Sequence, residues 1–168
     1  MRSSLEGDEA AFEDLVTRHK SRILSLAARF SRDAHQIDDL AQEVFIRAWQ
    51  RLEQFRAEAP FEHWLVKIAV HACYDFVRRQ QKFRLFQSVP VESVDLPAPD
   101  TLSADDARER VEIAFARLKP KERLILTLLE LEGRSLREVA GLTGWSESAV
   151  KLRAFRARLA LKKIFHLK

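Results

Sequence analysis

Six cationic side chains are concentrated in one stretch near the carboxyl end of the chain, "SESAVKLRAFRARLALKK" at residues 146–163. They are Lys151, Arg153, Arg156, Arg158, Lys162 and Lys163, and the acid of this stretch, Glu147, lies at its start. Lysine and arginine neutralise phosphates, and arginine can also donate a pair of hydrogen bonds to a guanine edge. Like charges one turn apart on a helix repel each other. We therefore expect this stretch to lie against a polyanion.

The same stretch has the pattern of the second helix of a helix-turn-helix. At 3.6 residues per turn, one face carries Val150, Ala154, Ala157 and Leu161. A short segment, "SLREVAGLTGW", precedes it with a capping box (Ser135 and Glu138) and a glycine-bearing turn. The pattern predicts a helix that enters the DNA major groove through Ser148, Lys151, Leu152, Arg153, Phe155, Arg156 and Arg158. The alternative is a surface helix with solvated cations and Phe155 in the core.

A second candidate surface lies in "DDLAQEVFIRAW", residues 38–49. Helical spacing directs Leu40, Val44 and Ala48 inward and leaves Asp39, Gln42, Glu43 and Ile46 on the outer side. Acids, an amide and an exposed aliphatic side chain suit docking onto a basic partner surface. The alternative is an ordinary solvated helix face.

Aromatic and cationic residues alternate in the following segment. Phe61, Trp64, Tyr74 and Phe76 lie near Lys67, Arg78 and Arg79. Such mixtures suit single-stranded nucleic acid, because bases stack on rings while cations neutralise phosphates. Phe61, Trp64 and Phe76 are expected in the core by default, so the loop Phe55–Pro60 is the preferred ligand contact.

The elements that must position these residues are predicted to be helices. Only four Gly and five Pro interrupt 168 residues, which favours an all-α fold. Residues 83–104 hold three of the prolines, with a net charge of −2, whereas residues 1–82 are neutral and residues 105–168 carry +6. We predict two small helical domains, 5–82 and 105–168, joined by a Pro-rich linker, 83–104, with the second a helix-turn-helix domain.

An enzyme is not expected, nor a cofactor, a metal or a small-molecule substrate. The five histidines are scattered without a ligand spacing, and a nucleophile motif and a Gly-rich phosphate loop are both missing. The single cysteine, Cys73, excludes an internal disulfide. Without a signal-peptide pattern or an apolar run of roughly 20 residues, the protein is expected to be cytoplasmic and not membrane-embedded.

In order along the chain, the motifs resemble those of the extracytoplasmic-function (ECF) group of RNA polymerase sigma factors. "GDEAAFEDLVTRH" and "DDLAQEVFIRAW" are similar to the family's opening and to its helix that docks on the polymerase clamp. "FRAEAPFEHWLVKIAVHACYDFVRR" resembles its −10 segment, and the stretch from Leu118 to Lys163 resembles its −35-binding domain. The resemblance covers nearly the whole chain, from about Gly7 to Lys163.

The resemblance implies a role for each candidate residue. Asp39, Gln42 and Glu43 would dock on core polymerase, and the residues of the predicted recognition helix would bind the −35 duplex. The loop Arg56–Pro60 would hold a flipped −10 base, and Trp64, Asp75 and Arg78 fall on pattern residues of the −10 segment. Together with the cations among the aromatic residues, the candidate −10 contacts are Arg56, Ala57, Glu58, Ala59, Pro60, Trp64, Lys67, Arg78 and Arg79. The implied partners are the polymerase core (clamp and flap), promoter DNA and an anti-sigma factor.

The chain departs from the family pattern at His71, where the family usually has Asn, at Ser148-Ala149 in place of Gly-Thr, and at Leu152 in place of Ser. Two other functions are alternatives to a sigma factor. One is a stand-alone helix-turn-helix regulator that dimerises or senses a ligand through its first domain. The other is an enzyme. A regulator would bind promoter DNA without polymerase, whereas a sigma factor would form a stoichiometric complex with core polymerase.

Overall fold

A computed structural model describes residues 9–86 and 104–165, and its regular elements there are helices. They are α1 (Glu9–Ala27), α2 (Ala34–Gln50), a 3-10 turn (Leu52–Gln54), α3 (Phe61–Phe86), α4 (Ala104–Arg117), α5 (Pro120–Leu126), a π turn (Thr127–Leu131), α6 (Leu136–Thr143) and α7 (Glu147–Ile164). The predicted all-α fold is confirmed.

The chain divides into two compact units, Met1–Phe76 and Val77–Lys168, so the division falls inside α3. This helix continues to Phe86, past its predicted end at Lys82, because residues 83–86 contain neither Gly nor Pro to stop it. The domain boundaries 5–82, 83–104 and 105–168 stay a prediction. Most of the predicted linker, residues 87–103, lies outside the described residues.

In the first unit, α1 packs against α2 through their apolar stripes. The α2 helix begins where the Asp33 carboxylate accepts a hydrogen bond from the backbone N–H of Gln36 at 3.2 Å. Its predicted inward residues, Leu40, Val44 and Ala48, are all buried. Burial on this side leaves the opposite side of α2 in solvent.

In the second unit, α4, α5 and α6 all pack against α7. Val150, Ala154 and Ala157 on α7 are completely buried, as is Val139 on α6. Two of the three α7 contacts are alanines, whose small side chains let the helices approach closely. The predicted packing face of α7 is confirmed, and it fixes which side of that helix is presented outward.

The turn between α6 and α7 is fixed by a series of caps, among them the predicted capping box and glycine. In the capping box of α6, Ser135 Oγ accepts from the Glu138 N–H at 3.2 Å, and a Glu138 oxygen accepts from the Ser135 N–H at 2.8 Å. Gly144 ends α6 in the left-handed conformation, with φ 74°. Ser146 Oγ accepts from the Ala149 N–H at 3.2 Å and starts α7. The helix-turn-helix is therefore specified locally at three successive points.

Candidate nucleic-acid and partner interfaces

The outward face of α7 combines cations with large apolar side chains. Lys151, Arg156 and Ser148 are exposed, and so are Phe155 (59 %) and Leu152 (49 %). The alternative that places Phe155 in the core is therefore wrong. Phe155 and Arg156 are consecutive and both face outward, because the buried face passes through Ala154 and Ala157. The surface can neutralise phosphates and also contact an apolar group in a groove.

Arg153 is held differently from the other cations of α7. It is half-buried, and its guanidinium carbon lies 4.6 Å from the centroid of the Trp145 ring. The ammonium of Lys121, on α5, lies 5.8 Å from the same centroid. Both distances are within the range of a cation–π interaction. Trp145 was not among the predicted site residues, although an aromatic residue in the turn before a basic helix is a signal that could have found it.

Arg158, predicted as a DNA contact, is engaged by an acid of the same unit. Its Nε and Nη2 atoms donate to one oxygen of Glu130 at 3.1 and 2.6 Å, and both side chains are about half exposed. Glu130 lies 28 residues earlier in the sequence, in the π turn. Two of the guanidinium donors of Arg158 are thus occupied before any DNA arrives.

Glu138, in the capping box, stays ionised far below neutral pH. Hydrogen bonds from the backbone N–H and the hydroxyl of Ser135, and then one from Arg134, lower the pKa of Glu138 to about 2. The negative charge sits in the first turn of α6, where the helix dipole favours it. The cap thus holds over the whole physiological pH range.

The outer side of α2 is only partly as predicted. Asp39 and Gln42 are exposed, and Ile46 beside them is 49 % exposed. Glu43 is instead half-buried and ion-paired with Arg47 one turn later. The other side of the Arg47 guanidinium donates to Asp75 of α3 at 3.0 Å. Glu43 therefore helps to join α2 to α3.

The pKa of Arg47 reflects these two acids. Burial alone would lower the pKa of Arg47, but the hydrogen bond to Asp75 and the charges of Glu43 and Asp75 raise it above its ordinary value. The guanidinium is thus permanently charged and ion-paired on two sides. Sequence spacing could indicate the Glu43–Arg47 pair, but not the link to Asp75, which depends on how α2 packs on α3.

The predicted −10 loop is closed at its base by an aromatic cluster. Phe55 and Phe61 are both buried, and their ring centroids lie 5.5 Å apart in an edge-to-face arrangement. Trp64 is half-buried, and its ring centroid lies 5.4 Å from that of Phe55 and 5.5 Å from that of Phe61. The expectation that Phe55 contacts a ligand is wrong, because its ring fills the core beneath the loop. The expected core position of Phe61 is confirmed.

The five residues between Phe55 and Phe61 in the sequence are all exposed: Arg56, Ala57, Glu58, Ala59 and Pro60. Ala57 has φ 56°, the one positive φ outside glycine among the described residues. A five-residue loop is therefore presented to solvent on a rigid aromatic base. Farther along α3, Lys67, Arg78 and Arg79 are also exposed.

His71 lies on α3 where the family pattern has Asn. Partial burial, and then the charge of Lys67, lower the pKa of His71 below its ordinary value of 6.5. The imidazole is therefore neutral at neutral pH. A neutral imidazole offers one donor and one acceptor, as the amide of Asn also can, so this departure does not add a phosphate-binding cation.

Two further properties of the described residues bear on function. Within residues 9–86 and 104–165, His, Cys, Asp and Glu do not cluster in a group of three able to hold a metal ion. Nor is any described helix both long and apolar enough to cross a membrane.

Comparison with known families places the two halves of the chain. The family "Sigma-70 region 2" matches residues 15–83, and "Sigma-70, region 4" matches residues 108–161. The RNA polymerase sigma-H factor of Pseudomonas aeruginosa is 31 % identical over 168 residues, covering 94 % of this chain and 87 % of that protein. The ECF sigma factor SigM of Mycobacterium tuberculosis is also 31 % identical, over 158 residues, covering 94 % and 79 %. The chain belongs to the ECF sigma factors.

Solved structures share the fold of this chain. CnrH, solved in complex with the cytosolic domain of CnrY, superposes with a TM-score of 0.65 at 27 % identity, covering 98 % of this sigma factor and 94 % of that chain. RpoE, solved with the anti-sigma factor NepR from Bartonella quintana, shares the fold at a TM-score of 0.62 and 21 % identity, covering 94 % and 98 %. This sigma factor is thus an alternative sigma factor that binds RNA polymerase and directs promoter-specific transcription initiation.

Proposed function

We propose that this sigma factor reads the −35 element as a duplex with α7, holds the opened −10 strand at the loop Arg56–Pro60, and docks on core polymerase through α2. The observation that carries the proposal is the outward face of α7. There Lys151 and Arg156 are exposed beside Leu152 and Phe155, opposite a face that is completely buried.

Recognition of the −35 duplex is supported by the chemistry of that face. Phosphates satisfy the cations that repel one another in the free chain, and release of counterions drives the association. Arg153 and Arg156 have the donor geometry for a guanine edge. Leu152 and Phe155 are suited to the thymine methyl, which is the apolar group that the major groove offers.

Capture of the −10 strand is supported by the loop above the aromatic cluster. Five exposed residues are held on buried rings, with Trp64 half-buried at the edge. Exposed cations at Lys67, Arg78 and Arg79 can follow the phosphates of a single strand. A base leaving its stack would meet a preformed loop, so less ordering entropy is lost on binding.

Docking on polymerase is assigned to Asp39 and Gln42 with Ile46. These three side chains are exposed on one side of α2. Glu43 is assigned a supporting role, since it holds Arg47 rather than facing solvent fully. An exposed aliphatic group between polar ones is typical of a non-obligate protein interface.

An anti-sigma factor is proposed as the regulator, because one of the similar solved structures is, by its description, a sigma factor in complex with an anti-sigma factor. We place the protein in the cytoplasm, where it would meet polymerase, and propose that it acts by binding and not as an enzyme. Neither a cofactor nor a metal is part of the proposal.

Run-off transcription with core polymerase on a randomised promoter library tests the function. We expect start sites that share two sequence elements, and loss of selection at −35 positions with Arg156→Ala. The control is Lys163→Ala, two turns further along α7, which should weaken binding equally on all sequences. A chain that binds DNA as a dimer without polymerase, and directs no start site, would instead be the stand-alone regulator.

A further inference from the structure

We propose that Trp145 is a positioning residue, which holds the Arg153 guanidinium ready to read a base edge in the −35 duplex. The inference rests on the proposed function of α7. It adds a residue of the turn to a recognition surface that the sequence places on the helix alone. The carrying observation is the 4.6 Å separation between the Arg153 guanidinium carbon and the Trp145 ring centroid.

Trp145 is itself fixed in place by the turn. It lies between Gly144, which ends α6 in the left-handed conformation, and Ser146, which caps α7. Its backbone N–H donates to Thr143 Oγ1 at 3.4 Å, and the buried Thr143 hydroxyl donates to the Val139 carbonyl at 2.7 Å. The half-buried indole is therefore attached to the core of α6 by its own backbone.

A ring and a carboxylate position an arginine in different ways. The Arg158–Glu130 pair uses Nε and Nη2 as donors, so those atoms must be released before they can bind DNA. A stacked ring contacts the guanidinium face and leaves the donors at its edge, which lie in the plane. Arg153 can thus be oriented in advance while its donors stay directed at a guanine O6 and N7.

Lys121 provides an internal comparison for the same ring. Its ammonium lies farther from the centroid, at 5.8 Å, and approaches from α5. An ammonium is a strongly hydrated point charge and does not stack, whereas a planar guanidinium does. Lys121 is therefore expected to contribute little to the orientation of Arg153, and Lys121→Ala serves as a control.

The contact itself is tested by ¹⁹F NMR on the full chain labelled with 5-fluorotryptophan. The chain has three tryptophans, and Trp145→Phe identifies the resonance of Trp145. We expect Arg153→Ala to move that resonance by several tenths of a ppm, and Arg156→Ala or Lys121→Ala to move it much less. If Arg153→Ala leaves the resonance in place, the stacking is not present in solution and the inference is overturned.

The function of the contact is tested by a double-mutant cycle in the polymerase holoenzyme. The probe is the promoter that the randomised library selects most strongly, and its affinity is measured by fluorescence anisotropy. We expect Trp145→Leu to weaken binding five- to tenfold, Trp145→Phe to restore most of this loss, and Trp145→Leu to have no further effect in an Arg153→Ala background.

The matched cycle combines Trp145→Leu with Arg156→Ala. In that double variant, the fold losses of promoter affinity from the two substitutions should multiply. If Trp145 had a merely structural role, the loss from Trp145→Leu would multiply with the loss from either arginine substitution. That result would overturn the role of Trp145 and leave the proposed function standing. Failure of the wild-type holoenzyme to bind any selected promoter would overturn the proposed function, and the role of Trp145 with it. The two failures are therefore distinguishable.

Discussion

Replacing Glu130 by Gln should raise the affinity of the sigma factor for −35 duplex DNA. In the free chain, Glu130 occupies two donors of Arg158 at 3.1 and 2.6 Å. Both side chains are about half exposed, so we expect the pair to contribute only about 0.2–1 kcal/mol to folding. The Glu130→Gln variant should therefore fold normally, and it releases a guanidinium on the flank of the recognition helix.

The size of the gain follows from counterion release. One additional phosphate contact makes the slope of log K against log salt steeper by about 0.9. Between roughly 1 M and 0.15 M salt, that slope corresponds to an affinity gain of about fivefold, or about 1 kcal/mol. The gain should shrink as salt rises and should be nearly the same for all promoter sequences, because phosphates carry no sequence information.

Fluorescence anisotropy of the holoenzyme on a promoter duplex, at several salt concentrations, measures both quantities. Glu109→Gln changes the net charge equally on α4 and is the control. In an Arg158→Ala background, Glu130→Gln should gain nothing beyond the effect of charge seen with Glu109→Gln. The idea that Glu130 withholds Arg158 from DNA would be refuted if Glu130→Gln gained no more than Glu109→Gln in the wild-type background. It would also be refuted if a gain larger than that of Glu109→Gln persisted in the Arg158→Ala background.

Four further predictions concern α2, the outward face of α7 and the capping box of α6. Asp39→Lys should abolish polymerase pull-down at an unchanged melting temperature. Glu43→Lys should also lower the melting temperature, because the new lysine would repel Arg47. The reverse pattern would exchange the roles of Asp39 and Glu43. Phe155→Ala should remove the preference for thymidine over deoxyuridine in promoter competition assays. That preference should be about fourfold, because burial of one methyl group contributes about 0.8 kcal/mol. Ser135→Ala should lower the free energy of unfolding by about 1 kcal/mol in urea titrations. In the wild type, the stabilisation from Glu138 should be complete above pH 4.5 and be lost as the pH falls through about 2.

Much of the fold could be predicted because its determinants are local in sequence. The caps at Asp33, Ser135 and Ser146 each act within three residues, and helical periodicity identified Val150, Ala154 and Ala157 as a packing face. A residue type and its spacing suffice for such features. The all-α class, the helix-turn-helix and the outward position of Phe155 follow from these patterns together.

The candidate site was less predictable, because its side chains are placed by partners far along the chain. Both Arg47–Asp75 and Arg158–Glu130 join residues 28 positions apart. Phe55 was expected to contact a ligand because other aromatic residues of the segment were assigned to the core, but packing against Phe61 draws it into the core. Pattern identifies which residues face outward on one helix, whereas these contacts depend on how two elements pack.

The backbone of Ala57 has a consequence for variation in the loop Arg56–Pro60, which we propose as the −10 contact. A left-handed φ of 56° costs an ordinary residue on the order of 1–2 kcal/mol, and β-branched residues more. In a saturation library at this position, selection for promoter activity should enrich Gly, Asn and Asp and deplete Val, Ile and Thr, although the side chain points into solvent. Substitutions that change the −10 preference would then be accepted more readily at the neighbours of Ala57, where a positive φ does not limit the choice of residue.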